Sequence, residues 1–333
     1  MYGMVGLTVV VGGITRLTGS GLSMVVWQPL IGIVPPVGEA AWQHAFDLYK
    51  ATPQYLQVNH WMGLADFKTI FFWEYVHRVL ARSIGLVCFV PGVWLALRGK
   101  LRGRWARMAA AALVLGGLQG ALGWAMVKSG LEDVPAVSHL RLAAHLSLAF
   151  FVGMWLLWII LDMTRPDLVG ARATQASRRG WAVVALLAVQ IVYGAFMAGT
   201  HAGYLYSTFP DMNGAWIGAG SFAMAPWWRN LLDNPSAIHT IHRWLGLVAT
   251  IVVVVFALGA RRQTRDAGAR RTLDLLAVII VVQLALGALT VVMYVPIAIA
   301  VLHQAVAYLL MSAAVAAVHR LRVAGKGGER IVA

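Results

Sequence analysis

Residues 67–97 read FKTIFFWEYVHRVLARSIGLVCFVPGVWLAL, and this stretch decides the fold class. It exceeds the roughly 20 apolar residues that a helix needs to cross a bilayer. We predict eight such spans, near residues 1–16, 68–97, 107–127, 139–161, 180–201, 239–260, 273–294 and 297–318. Only 12% of the chain is charged, about half the share that is typical of a soluble domain. The sequence therefore predicts an all-α, polytopic membrane protein with eight transmembrane helices.

The basic residues indicate how the chain is oriented. The formal net charge of +14 would by itself suit nucleic acid, but Lys and Arg cluster in alternate connections and in the tail. The clusters are Arg98, Lys100, Arg102, Arg104 and Arg107; Arg165, Arg172, Arg178 and Arg179; Arg261, Arg262, Arg265, Arg270 and Arg271; and Arg320, Arg322, Lys326 and Arg330. The positive-inside rule places these clusters and both termini in the cytoplasm, and connections 17–67 and 202–238 outside. With no recognisable signal or transit peptide, we expect a bacterial inner-membrane protein in contact with lipid, and no nucleic-acid partner.

The two halves of the chain resemble each other. WEYVHR at 73–78 aligns with IHTIHR at 238–243 on the His-Arg pair, near the start of spans two and six. QGALG at 119–123 likewise matches QLALG at 283–287. Internal repeats of this kind often build pseudo-symmetric membrane folds. We therefore predict two pseudo-symmetric four-helix bundles, 1–163 and 178–320, joined by a cytoplasmic linker at 164–177 and followed by a basic cytoplasmic tail at 321–333.

Each even-numbered span carries a histidine near its predicted external end: His77, His145, His242 and His303. At 1.5 Å per residue these lie roughly 5–14 Å below that surface, so they share one layer. Two histidines on facing helices can bind one haem iron as axial ligands. The pattern predicts two haem sites on the periplasmic side, His77 with His145 and His242 with His303. Two alternatives stay open: a helix–helix hydrogen bond for each ring, and a zinc site that uses His239 beside His242.

Three arginines fit the same prediction. A charge within a membrane helix is costly and usually faces the bundle interior or a polar cavity. Arg78 and Arg243 each follow a predicted ligand, and Arg suits carboxylates such as the propionates of a haem. Arg16 lies near the external side and could serve the same end, although its side chain could instead reach the membrane interface.

Glu74 breaks the symmetry of the two halves. It lies three residues before His77, on the same face of the helix, and His239 stands at the matching place in the second half. An acid beside only one of two haems favours an enzyme over an electron carrier. A salt bridge with Arg78 is the structural alternative.

Six segments together closely resemble the haem A synthase family. They are GGITRLTGSGLSM (12–24), NHWMGLADFKTIFFWEYVHR (59–78), HLRLAAHLSLAF (139–150), YSTFPDMNG (206–214), IHRWLG (241–246) and LHQAVA (302–307). The resemblance covers nearly the whole chain, and the set is specific although each segment alone is weak. It is a resemblance to the form without an external cysteine pair, because the one cysteine, Cys88, lies inside span two.

The resemblance implies an oxidoreductase that converts haem O to haem A for an aa3-type terminal oxidase. Such an enzyme oxidises the C8 methyl group to a formyl group through successive hydroxylations. Glu74 would take part in the chemistry. Substrate haem O, or product haem A, would lie between His77 and His145, and haem b between His242 and His303. Haem O synthase is implied as a partner, while cytochrome c oxidase assembly factors and a homo-oligomer stay open.

Two axial histidines leave the iron no open position, so we hypothesise a reaction at the edge of the macrocycle. Electrons leave the methyl carbon, water attacks it, and Glu74 takes up a proton or steadies positive charge. Two other functions stay open. A diheme membrane cytochrome that exchanges electrons with quinone explains the histidines but not Glu74, and a transporter would have its site nearer the midplane.

Overall fold

The computed structural model describes residues 1–26, 33–131 and 135–323. These contain α1 (Tyr2–Leu17), α2 (Glu39–Lys50), α3 (Leu64–Leu97), α4 (Gly103–Ser129), α5 (His139–Thr164), α6 (Gln175–Gly199), α7 (Arg229–Leu232), α8 (Pro235–Gln263), α9 (Ala267–Val292) and α10 (Ile297–Arg320). Short stretches of other helix types lie at Tyr55–Asn59, Pro166–Leu168 and Ala202–Tyr204. The described residues form two isolated β-bridges and no β-strand.

Seven helices in the described ranges are long and apolar enough to cross a membrane: α3, α4, α5, α6, α8, α9 and α10. They coincide with predicted spans two to eight, so the all-helical class and these seven segments are confirmed. The first predicted span is the 16-residue helix α1, which is shorter than a typical crossing. The predicted basic tail lies outside the described residues from residue 324 onward.

The chain divides into two compact units, residues 3–152 and residues 153 onward, and α5 contributes to both. In the first unit α3 packs against α2 and α4. In the second unit α6 and α9 each pack against both α8 and α10, so these four helices form a closed ring. Both members of each predicted ligand pair therefore belong to one unit.

Helix α3 extends beyond a membrane crossing. Its 34 residues rise about 51 Å at 1.5 Å per residue, more than the ~30 Å hydrocarbon core of a bilayer. Its first two turns pack against α2 through a buried cluster of Phe46, Tyr49, Phe67, Ile70 and Phe71. Tyr49 Oη donates to Gln54 Oε1 (3.0 Å) and accepts from Asn59 Nδ2 (2.8 Å), and burial raises the pKa of this phenol. The cluster ends one turn before Glu74, so it anchors the part of α3 that carries the predicted site.

Polar N-caps begin three of the long helices. The side chains of Thr174, Asn234 and Asp266 accept backbone N–H groups in the first turns of α6, α8 and α9. They satisfy donors that a helix start leaves unpaired. Pro235 occupies the first position of α8, where its lack of an N–H costs nothing. Local chemistry thus fixes these boundaries.

A buried ion pair joins the end of α5 to the end of α10. Asp162 is 1% exposed, and its Oδ1 lies 2.9 Å from His319 Nε2 and 3.4 Å from Arg322 Nη2. The His319 ring packs edge-on against Trp158, and the Arg322 guanidinium lies over the same indole.

Candidate functional site

Each of the four predicted histidine ligands packs against a glycine of a neighbouring helix. A methyl group added to these glycines would stand close to the imidazole Cε1: Gly12 to His77, 2.9 Å; Gly123 to His145, 2.9 Å; Gly194 to His242, 3.2 Å; and Gly287 to His303, 3.0 Å. These distances are shorter than the roughly 3.5–4.0 Å of a normal carbon–carbon contact. We call Gly12, Gly123, Gly194 and Gly287 the seat glycines.

A glutamine accompanies the seat glycine on α4 and on α6, one turn before it in sequence. Gln119 Nε2 donates to the His145 carbonyl oxygen (3.1 Å) and lies 3.4 Å from the ring Nε2 of that histidine. Gln190 Nε2 donates to the His242 carbonyl oxygen (3.0 Å). The amide therefore contacts the same residue whose ring rests on the glycine.

The remaining two helices differ from each other at this position. On α9, Gln283 Nε2 lies 3.4 Å from His303 Nε2. On α1 the matching residue is Thr8, and its hydroxyl donates to Met4 O (2.8 Å) within its own helix. The neighbour of His77 therefore lacks the amide that accompanies the other three predicted ligands.

The four rings have the properties that haem ligands need. Each ring is half-buried, and its Nδ1 makes no hydrogen bond of good geometry, although the ring lies near a backbone carbonyl group one turn before the seat glycine. Within each unit the two rings are near enough to interact electrostatically, His77 with His145 and His303 with His242. Paired imidazoles with an unpaired nitrogen suit the axial positions of a haem iron. The described part of the chain holds no group of three or more His, Cys, Asp or Glu side chains that could bind a bare metal ion, so the zinc alternative has no support.

Arg243 and His239 hold the connection that precedes α8. Arg243 Nη1 donates to Thr208 O (2.8 Å) and to Asp211 O, and its Nη2 donates to His239 Nε2 (2.7 Å). His239 is 1% exposed, and its Nδ1 lies 2.8 Å from Ala202 O. The guanidinium that we predicted to meet a propionate is thus engaged by backbone carbonyl groups of the protein.

Arg78 and Arg16 lie in the first unit. Arg78 donates to Glu74 Oε1 through Nε (3.0 Å) and Nη2 (2.5 Å), and to Met24 O through Nη2 (3.0 Å). Its Nη1 is buried without a hydrogen-bond partner, so this group is the donor that Arg78 can offer to a propionate. Arg16 is half-buried in the last turn of α1.

Glu74 is 2% exposed, and both of its oxygens accept hydrogen bonds. Oε1 receives the two bonds from Arg78, which is the salt bridge that the sequence left open. Oε2 receives the Ser23 hydroxyl (2.7 Å) and the Met24 N–H (2.8 Å). The carboxylate therefore ties the segment after α1 to the middle of α3.

Sequence reasoning missed Ser23 and the seat glycines. The signal for the glycines was present, because QGALG and QLALG had been read only as a sign of duplication. A third copy, QIVYG at 190–194, ends on another seat glycine. Ser23 lies within the family-like segment at 12–24, but that segment does not predict its contact with Glu74, which joins residues 51 positions apart.

Residues 1–315 match the family model COX15-CtaA, described as cytochrome oxidase assembly protein. The chain belongs to this family. The match includes Glu74 and all four predicted ligands.

Three curated relatives of this COX15-CtaA chain carry the name "Heme A synthase". The relative from Nitrosospira multiformis is 42% identical over 94% of this chain and 89% of its own length. The one from Rhizorhabdus wittichii is 44% identical over 94% and 89%, and the one from Rhodospirillum centenum is 41% identical over 96% and 86%. The similarity therefore runs through both units.

Proposed function

We propose that this COX15-CtaA family protein is a haem A synthase, an oxidoreductase of the bacterial inner membrane. It oxidises the C8 methyl group of haem O to a formyl group through successive hydroxylations and supplies haem A to an aa3-type oxidase. The observation that carries the proposal is the pair of half-buried histidines in each unit, every ring packed against a glycine of a neighbouring helix. The names of the curated relatives support the same activity. Haem O synthase is the expected partner that supplies the substrate.

The proposed architecture has eight spans in two pseudo-symmetric bundles. Residues 1–163 hold the substrate haem, 164–177 link the halves on the cytoplasmic side, 178–320 hold haem b, and 321–333 form the tail. The basic clusters support a topology with both termini in the cytoplasm and the haem sites near the periplasmic side. The recurrence of the histidine–glycine contact supports the symmetry.

His242 and His303 are proposed to bind haem b, and His77 and His145 to bind haem O and later haem A. When bound, haem b supplies a one-electron redox centre. Arg78 is proposed to bind a propionate of the substrate through its unpaired Nη1. Arg16 and Arg243 are weaker candidates for the same role, and Arg243 is the weaker of the two because carbonyl groups already engage it.

The reaction needs an acceptor of electrons and of protons. Conversion of a methyl to a formyl group with one oxygen from water releases four electrons and four protons, and the electrons leave through one-electron carriers. Glu74 is the proposed catalytic residue that takes protons or steadies positive charge. Because Ser23 donates its hydroxyl proton to Glu74 Oε2, a proton that reaches Ser23 can pass to the carboxylate without movement of either side chain.

A diheme electron-transfer cytochrome is the second candidate, and it is not favoured. It would use the four histidines equally well. It gives no use to Glu74, the buried acid one turn before His77, whose place in the second unit is taken by His239. It also does not fit relatives that carry the name "Heme A synthase".

Co-expression with a haem O synthase tests the proposal, in a host that makes no haem A. Haems extracted from the membranes are separated by chromatography. We expect a haem A peak with the unmodified chain and none with empty vector or with His77→Ala. A preparation that contains haem b alone would instead support the cytochrome.

A further inference from the structure

The seat glycines differ from other glycines of the membrane helices in what they face. A methyl group on any of them would meet an imidazole edge, which is the mobile end of a side chain. On Gly180 it would meet Val318, and on Gly117 or Gly259 it would meet no atom within 4 Å. Small residues commonly let membrane helices approach each other, but that alone does not place a histidine ring at all four positions.

The contact is reciprocal in the second unit. Gly246 stands one turn after His242, and a methyl group there would lie 3.0 Å from Gln190 Nε2. Gln190 itself stands one turn before Gly194. Each helix therefore presents a small residue to the polar side chain of the other. The residues one turn after the other three histidines are also small: Ala81, Ala149 and Ala307.

A histidine that binds a metal is usually oriented by a hydrogen bond from its second ring nitrogen. Here the Nδ1 atoms make no hydrogen bond of good geometry, although each ring lies near the backbone carbonyl group one turn before its seat glycine, at Thr8, Gln119, Gln190 or Gln283. What the four rings share is the close contact of Cε1 with a helix backbone. A backbone inside a helix cannot yield as a side chain can, and the small glycine is what lets the ring come this close to the backbone of the neighbouring helix.

We propose that the seat glycines are positioning residues for the haem ligands. Each lets an imidazole rest on the neighbouring helix, and this fixes the rotation of the ring and the direction of the nitrogen that faces the iron. The inference rests on the proposed function, because it assumes that these histidines bind haem. It adds to that function the statement that packing against a glycine sets the orientation of each histidine ring toward the haem iron.

The second unit is the better place for the test, because its proposed haem b is a bound cofactor and is not consumed in the reaction. The variants are Gly194→Ala and Gly287→Ala, with Gly259→Ala in α8 as the matched control. Alanine is a better helix former than glycine, so helix propensity does not disfavour the variants. Because the atom that an added methyl group meets belongs to a flexible side chain, the ring is expected to move and the fold to stay.

The full chain is purified in detergent, and its haem is followed by absorption and by electron paramagnetic resonance. We expect the unmodified chain and Gly259→Ala to show a low-spin haem with two histidine ligands. The seat variants should shift that signal or turn it partly high-spin, and should retain haem about 10-fold less firmly, as is typical when a group that orients a metal ligand is lost. Unchanged elution of the variants in size-exclusion chromatography should show that the fold is kept while the ligand ring has moved.

The outcomes separate this inference from the proposed function. Spectra and haem retention like those of the unmodified chain in both seat variants would overturn the positioning role while the function stands. Equal loss of haem in Gly259→Ala would also overturn it, because the effect would then be general. An unmodified chain without low-spin haem, or a His242→Ala variant with an unchanged spectrum, would overturn the ligand assignment and the positioning role with it.

Discussion

Glu74 combines a structural contact with a proposed chemical role. Two of its four hydrogen bonds connect α3 to Ser23 and Met24, and the other two come from Arg78 on α3 itself, so the side chain also stabilises the local structure. The sequence predicted the salt bridge as an alternative from the four-residue spacing to Arg78 alone. It could not predict the bonds from Ser23 and Met24, because these depend on how the chain folds back after α1.

Replacing Glu74 with Gln separates the two roles. The amide keeps the shape but cannot take up a proton as the carboxylate does, so haem A yield should fall by about 10²–10⁴-fold. Chromatography of haems from the co-expression strain measures the yield, and Glu39→Gln, an exposed acid on α2, should leave it unchanged. Undiminished haem A from Glu74→Gln would leave this side chain as an anchor for Arg78 only.

Arg243 shows where residue-level prediction stopped. Because Arg243 follows His242, the sequence predicts that it binds a haem propionate. In the structure its partners are backbone carbonyl groups 32 and 35 positions away in sequence. Arg243→Met should therefore loosen residues 202–218 at a cost of about 1.5–3 kcal/mol per lost charged hydrogen bond. Limited proteolysis of purified protein should cut this region faster, whereas Arg229→Met, at an exposed pair with Asp233, should not change the cutting. Loss of haem b with no faster cutting would favour the propionate role instead.

At the scale of elements, hydropathy predicted the seven long helices to within a few residues. Membrane helices are readable in this way because every backbone group must be paired within the segment. Helix α2 was not predicted, since its order depends on a tertiary cluster with the start of α3. The pairing of Asp162 with His319 was also missed, because it joins residues 157 positions apart.

That buried pair gives a prediction for the ends of α5 and α10. Asp162→Ala leaves His319 and Arg322 without their acceptor, and removal of one partner of a buried pair costs about 3–5 kcal/mol. Thermal unfolding in detergent should show a clearly lower midpoint. Asp167→Ala breaks an exposed pair with Arg165 and should change stability by no more than about 1 kcal/mol. Equal midpoints for the two variants would contradict a stabilising role for the buried pair.

At the scale of the whole molecule, the duplicated motifs predicted which histidines belong to the same unit. The repeats could not predict that the boundary between the two compact units falls inside α5, at residues 152 and 153. That boundary depends on how the helices pack and not on sequence similarity. The side of the membrane on which each connection lies is also a property of the entire chain.

Single cysteines in a Cys88→Ser background report that orientation. Lys100→Cys lies in the basic connection between α3 and α4, and Ala223→Cys lies in the connection before α8. A membrane-impermeant maleimide added to spheroplasts should label the Ala223 variant and spare the Lys100 variant until the cells are opened. The reverse order of labelling would invert the proposed topology and put the haem sites on the cytoplasmic side.

Thr8 stands where the other three ligand-bearing helix pairs have a glutamine, and its hydroxyl bonds only to its own helix. The proposed haem b of the second unit can stay bound for the lifetime of the protein, but the product haem A has to leave the first unit after every reaction. If departure begins with one iron–nitrogen bond, the ring of His77 is the one that no neighbouring glutamine amide holds. The absence of one amide would then mark the exit through which finished haem A is handed on.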